Sequence, residues 1–419
     1  MHKIKITLLL LATFTFNLGI AQNIKDETIE YRYIKLPLTP LPASIQNYQS
    51  SITPTFAAEN QKKTEAYEAE KKVAEAEFQR EKDAYPGRVK AAEDKYATEM
   101  EAWKKKSFGE KVVEKEVLGE NNKPVKNLPS PPYLRYVEPP QLQTAYDYPV
   151  VASTYLVLDG YNNKPENAVK IDVTIYGFDY TEPRQISEQK NVTSYANGST
   201  STSAVNYYHN EFSYRHTMSV KVTLPDGKEL FSLTPQELNT YKIYKSPEST
   251  TPAALNPQML IKTNEEKTFQ NNLILINDLV NDRIGYKRTL RKVELYYVKS
   301  KDDTYTDLLV AFNDASAGLK LLIDDPRGAT PKLTSALQAW NKALLESDPK
   351  NKKARIDKDV TIAICFNMLE CYFALGDSGN AQKIIAQLNT IDLSSSKRKQ
   401  KDEYEALFND MKKRVSVSK

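Results

Sequence analysis

The chain has 419 residues and a formal net charge of +4, from 58 Lys and Arg against 54 Asp and Glu. So even a balance argues against nucleic acid as the main partner, because phosphate binding needs a concentrated basic surface. Two cysteines in the whole chain exclude a disulfide framework, and the length allows roughly two or three domains.

The first residues have the pattern of an export signal. Lys3 and Lys5 precede an apolar run from Ile6 to Ala12, continued by Phe14, Phe16 and Leu18, and Gly19-Ile20-Ala21 offers small residues ahead of a cleavage site before Gln22. The run is too short to span a bilayer, and no other stretch approaches about 18 uninterrupted apolar residues. The mature chain is therefore expected not to cross a membrane. Cleavage would remove two lysines and no acid, leaving a charge of about +2. The run resembles the signal peptides of Gram-negative envelope proteins, which implies the periplasm, or an outer-membrane-associated or cell-surface position.

Tyr31 to Leu36 alternates as a short strand before Pro37, Pro40 and Pro42 end it, with a weak echo at Leu134 to Pro140 that could join it in one sheet. Between them Ala57–Lys106 is rich in Ala, Glu and Lys, broken once at Pro86-Gly87. A sparse stripe of Tyr85, Val89, Ala92, Tyr96, Met100 and Trp103 follows helical spacing. The pattern predicts two helices folded back at Pro86-Gly87 into an arm of roughly 30–40 Å. A single kinked helix fits the same residues. Such an arm either spaces other parts or docks a partner through Tyr96, Met100 and Trp103.

Lys111–Leu118 and Lys123–Leu128 flank Gly119 to Asn122 as a hairpin, and a proline-rich linker follows. Ala152, Tyr155 and Val157 open a strand; Val169, Ile171, Val173 and Ile175 alternate cleanly with polar residues, as do residues 206–216. Val220–Leu224 pairs with Glu229–Phe231 across Pro225-Asp226-Gly227, since Asp-Gly supplies the positive φ of a tight turn. One wet and one buried face predict an antiparallel sheet of sandwich type. The polar stretch Gln185–Ala204 reads as a long loop. Tyr241–Lys245 is a further strand, Thr263 to Glu266 a capping box opening a helix closed by Gly285, and Lys292–Lys299 a strand with Val293, Leu295 and Tyr297 on one side.

From Thr304 the pattern turns helical. Leu309, Phe312, Leu319 and Ile323 mark one helix; Thr330-Pro331 starts another with Leu333, Leu337, Trp340 and Leu344. Phe366 to Leu375, Gly376-Asp377, then Ala381, Ile384 and Ile385 give a helix pair, and Ser395 or Ser396 caps a last helix with Tyr404, Leu407 and Phe408. Tyr372, Leu375, Gly376-Asp377 and Ala381 fall in register with the signature of the tetratricopeptide repeat, which this region (about residues 304–416) resembles. The resemblance implies a short α-solenoid that binds a partner along its concave groove, with Asn367 at the family's backbone-clamping asparagine position and Glu370 beside it.

The fold expected is thus α+β and multidomain: signal peptide 1–21, an N-terminal strand and Pro-rich segment 22–56, a charged helical hairpin 57–108, an antiparallel β domain 109–250, an α/β connector 251–303 and a TPR-like helical domain 304–419. Catalytic motifs are missing: no nucleophile elbow, HExxH, phosphate-cradling glycine loop or CxxC. His209 and His216, seven apart on or near one strand, point to opposite faces of a regular strand, so a shared metal site needs a bulge between them and none is expected. Cys365 and Cys371, about 9 Å apart along one helix, read as buried thiols. No cofactor is expected. The pattern points to a non-catalytic exported protein that binds another envelope protein or peptide. Glycan binding through Tyr207, Tyr208 and Tyr214 is the second reading, and a glycan-active enzyme, which needs two carboxylates in a cleft, the third.

Overall fold

The computed structural model describes residues 23–112, 123–196, 198–252, 256–300 and 303–417. The predicted signal peptide lies outside them, and so does the turn of the hairpin expected around Gly119. The protein is α+β, with a mixed seven-stranded sheet, one very long helix and a C-terminal helical region. Among the described residues no helix is long and apolar enough to cross a membrane.

The chain opens with β1 (Asn23–Lys35) and β2 (Asn47–Pro54), which belong to different sheets. Next comes α1 (Ala57–Lys105), one unbroken helix of 49 residues that passes straight through Pro86. At 1.5 Å per residue it is about 74 Å long. This corrects the expected helical hairpin. After the short α2 (Phe108–Val112), residues 123–147 form no strand and run back along α1. Lys126 meets Glu93 at 2.9 Å, the Tyr85 hydroxyl donates to the Pro129 carbonyl at 3.3 Å, and Arg135 meets Glu70 at 2.8 Å. Asn60 and Gln143 close the base, Asn60 Nδ2 donating to the Gln143 carbonyl at 2.7 Å and Gln143 N to Asn60 Oδ1 at 3.1 Å. The lengths agree. From Asn60 to Glu93 the helix rises about 50 Å, and Lys126 to Gln143 covers about 53 Å at polyproline II rise. Proline-rich chain is therefore suited to flank α1, and Leu134–Pro140 does not pair with β1 as expected.

α3 (Tyr148–Tyr155) replaces the strand expected there: Asp147 caps it, accepting from Val150 N, and Pro149 fits its first turn. β3 (Asn162–Asn163) and β4 (Ala168–Tyr180) lie parallel to β2. β5 (Arg184–Ala196) and β6 (Ser199–Thr223) then form an antiparallel hairpin in full register, with Gly198 at φ 78° in its turn. The stretch expected as a loop is this ribbon; its Ser and Thr residues, such as Thr193 opposite Thr202 and Ser194 opposite Ser201, pair across strands. β7 (Glu229–Leu233), across the Asp226-Gly227 turn, and β8 (Lys242–Lys245), after α4 (Gln236–Asn239), both pair with β6. Instead of a second sheet, α3 and α5 (Pro257–Ile284) cover the apolar face. Val169, Ile171, Val173, Ile175, Met218, Val220 and Val222 pack there against Phe269, Leu273, Ile276 and Val280. α5 begins at its Asn256 cap, seven residues before the expected box, and ends at Gly285.

A second core gathers β1, β9 (Lys287–Lys299) and the C-terminal helices. β1 and β9 pair antiparallel over thirteen residues, Asn23 opposite Lys299 and Lys35 opposite Lys287. Around them pack α6 (Thr306–Leu321), α7 (Pro326–Leu344), α8 (Lys358–Ala374), α9 (Ser378–Asn389) and α10 (Ser395–Val417). α6 buries Leu308, Phe312 and Leu319 and leaves Leu309 largely exposed. α7 starts one turn before the expected Thr330, because Asp325 caps it and Pro326 occupies its first position; Pro331 lies inside it. Gly376, at φ 71°, ends α8, and Asp377 caps α9. The two cores meet where Arg414 of α10, almost fully buried, donates to the Leu36 and Asp282 carbonyls and the Asp282 and Asp410 carboxylates.

Candidate functional site

α8 buries an unbroken run from Val360 to Phe373, so it is the central element of the helical region rather than an amphipathic surface helix. Two residues in that run carry strong polar groups, Asn367 and Glu370, with 1% and 0% of their surface exposed. Groups buried that completely require hydrogen-bond partners. Three residues apart, they share one helix face, and that face meets the β1–β9 ribbon.

Asn367 holds a single peptide position of β9 at both ends. Its Oδ1 accepts from Tyr296 N at 2.8 Å and its Nδ2 donates to Tyr296 O at 2.7 Å. Glu370 collects four donors. Oε1 accepts from Arg291 Nε at 2.7 Å and from the Tyr31 hydroxyl; Oε2 accepts from Arg291 Nη2 at 2.8 Å and from the Tyr404 hydroxyl at 2.7 Å. The Arg291 fork is the bidentate geometry in which guanidinium and carboxylate bind most strongly. Burial, and then the neighbouring Glu370 charge, push the Tyr31 and Tyr404 pKa values well up, so both hydroxyls remain donors. Burial works against the Arg291 charge, but Glu370 outweighs it and its pKa is raised.

Both residues expected on a partner-binding groove are thus brought together and engaged by this chain's own strand. The other three expected residues lie apart, on the far end of α1. Tyr96, Met100 and Trp103 are half-buried there, and the Trp103 ring has Lys111 Nζ at 4.4 Å and Lys123 Nζ at 5.8 Å from its centroid. Tyr31, Arg291, Tyr296 and Tyr404 escaped sequence reading. A signal was present: Arg291 occupies the same strand parity as Val293 and Leu295, and Tyr31 that of Ile29. A charge at an inward position calls for a buried partner.

Two hollows flank the ribbon. One, about 510 Å3, lies between Arg291–Glu294 of β9 and Ser396–Leu407 of α10, and is polar. The other, about 340 Å3, is apolar and lined by Ile34, Leu36, Leu322, Leu375, Leu407 and Met411 among others. The polar one is lined by two carboxylates, Glu294 and Glu403, and Glu294 accepts from the Tyr296 hydroxyl at 3.0 Å. Cys365 and Cys371 are buried, and burial pushes the Cys365 thiol up to about 12 and the Cys371 thiol well up, so neither forms a ready thiolate.

In the seven-stranded sheet, His209 and His216 are 5% and 3% exposed, and burial pushes the His216 pKa down to about 4. Among the described residues no three His, Cys, Asp or Glu gather as metal ligands. Tyr207 lies on the opposite face of β6 from Tyr208 and Tyr214, and Tyr214 stacks on Phe178 at 5.7 Å, so the three rings form no single platform. Comparison with protein-family models, with curated proteins and with solved structures finds no match to this chain.

Proposed function

We propose that the chain is a non-catalytic exported protein that binds or scaffolds other envelope proteins, through its C-terminal helices and its β domain. In this reading α6–α7 and α8–α9 are two helix pairs of tetratricopeptide-repeat type, and the leader directs the protein to the periplasm or the outer membrane. The observation that carries it is the two-point grip of Asn367 on the main chain of Tyr296. A side-chain amide that reads a peptide unit rather than a side chain is a device for holding extended polypeptide, whatever its sequence. Here its first occupant is the chain's own ribbon. The 49-residue α1 and the β5–β6 ribbon add two long elements that suit a scaffold.

Affinity purification of the full chain from envelope fractions, after mild crosslinking, tests the proposal. Reproducible enrichment of one or a few envelope proteins is the expected result. Turnover of a glycan or peptide by the purified chain would overturn it, and selective sugar binding on a glycan array would replace it with the glycan-binding reading.

A further inference from the structure

The ribbon turns one edge of β9 away from β1, and Asn367 takes part of it. Because Asn367 binds both main-chain groups of Tyr296, the pair Tyr296–Asp26 is a non-hydrogen-bonded pair of the ladder. That pattern returns every second residue. The N–H and C=O of Glu294, opposite Thr28, and of Lys292, opposite Glu30, therefore also point away from β1. Both residues line the polar groove of about 510 Å3, whose far wall is the N-terminal half of α10. Its size lies within the range of ligand sites, about 300–1,000 Å3.

We infer that this groove is a strand-addition site, in which an extended segment of a partner protein pairs with the open β9 edge at Lys292 and Glu294. The inference rests on the partner-binding reading and names the form of the ligand. Main-chain pairing at a sheet edge supplies affinity, and the groove walls supply selection. The lining carries Arg291, Lys292, Lys397 and Lys399 against Glu294 and Glu403. Arg291 is balanced by Glu370, and Lys292 also meets Glu30 at 2.5 Å across the ribbon. Lys397 faces Glu294 and donates to the Tyr296 hydroxyl at 2.7 Å, so the positive end left facing the groove is the start of α10, where Lys399 adds to the helix dipole at that turn. The fitting segment is extended and carries an acidic residue where it passes that turn.

The probe is a fluorescein-labelled octapeptide of alternating Val and Glu, with a Val and Lys counterpart, titrated against the full chain by anisotropy. The acidic peptide should bind and the basic one should not. Glu294→Pro deletes one outward N–H at an edge position that tolerates proline, and should weaken binding about tenfold with the melting transition unchanged. Lys399→Glu should weaken the acidic peptide and admit the basic one. In the wild-type chain, amide exchange at Lys292 and Glu294 should slow when the acidic peptide is added, a measurement independent of any variant's folding. No binding, or binding that leaves those two amides unprotected, overturns the inference. Envelope partners captured by the full chain in that case leave the partner-binding reading standing, and their absence removes it as well.

Discussion

Arg291 of β9 and Glu370 of α8 form a bidentate ion pair at 2.7 and 2.8 Å, with the carboxylate wholly buried and the guanidinium side chain one-quarter exposed. Tyr31 and Tyr404 fill the remaining lone pairs. The pair ties a strand to a helix 79 residues away and sits where β1, β9, α8 and α10 converge.

Removing one partner leaves a buried charge alone. Glu370→Ala should destabilise the chain by about 3–5 kcal/mol in denaturant unfolding. The double variant Arg291→Met with Glu370→Leu should recover much of that loss, because packed apolar groups replace a satisfied pair at little cost. Equal losses in the single and double variants would mean that the pair is not formed.

Trp340, 1% exposed on α7, packs in the helical core with Leu333, Leu337 and Ala343. Trp340→Ala should cost about 3–5 kcal/mol. A melting transition equal to that of the wild type would contradict this packing.

Gly318 sets how closely α6 and α7 approach. A Cβ there would stand 2.8 Å from Leu333 Cγ, and Leu333 is fully buried. Two effects oppose each other in Gly318→Ala. Helix propensity gains about 1 kcal/mol, whereas overpacking costs about 1–3 kcal/mol. Overpacking wins because the neighbour has nowhere to move, so the variant should be less stable by about 1 kcal/mol. A rise in stability would show that α6 and α7 stand further apart.

His216 stacks on Phe269, 5.8 Å away, meets Phe178 edge-on at 5.6 Å, and is held neutral by burial, with its pKa pushed down to about 4. Its folded pKa lies below its unfolded value near 6.5, so the unfolded chain binds more protons between those limits. Stability contributed by this residue is complete above about pH 6.5 and falls as pH drops towards 4, by on the order of 3 kcal/mol. His216→Phe should flatten the pH dependence of unfolding in that window. An unchanged slope would show that other groups control it.

Much of the local structure was legible. Asp226-Gly227 announced its hairpin, Val169 to Ile175 its strand, and Gly376-Asp377 the junction of α8 and α9. Each is a short-range signal that a few residues settle. What escaped has physical reasons. The β5–β6 ribbon is wet on both faces along most of its length, so it lacks the hydropathy alternation that marks a strand. α1 continues through Pro86 where Lys82 and Pro86 are exposed, so the carbonyl deprived of an N–H partner meets water. In α3, Asp147 and Pro149 override the strand preference of Val150 and Val151. The β1–β9 pairing joins residues more than 250 positions apart, and no local pattern encodes that. Asn367 and Glu370 stood out in the sequence as polar residues on an apolar helix, but their partners depended on this long-range pairing.

Native-state hydrogen exchange at three amides of β9 tests the account most directly. Tyr296 N–H, accepted by Asn367 inside the protein, should exchange only on global unfolding, whereas the edge amides of Lys292 and Glu294 should exchange quickly. Asn367→Ala should release the Tyr296 amide, by a factor of about ten to a hundred, as a hydrogen bond to a buried group is lost. Fast exchange at Tyr296 in the wild-type chain, level with Lys292 and Glu294, would contradict the claim that the helical region grips this strand.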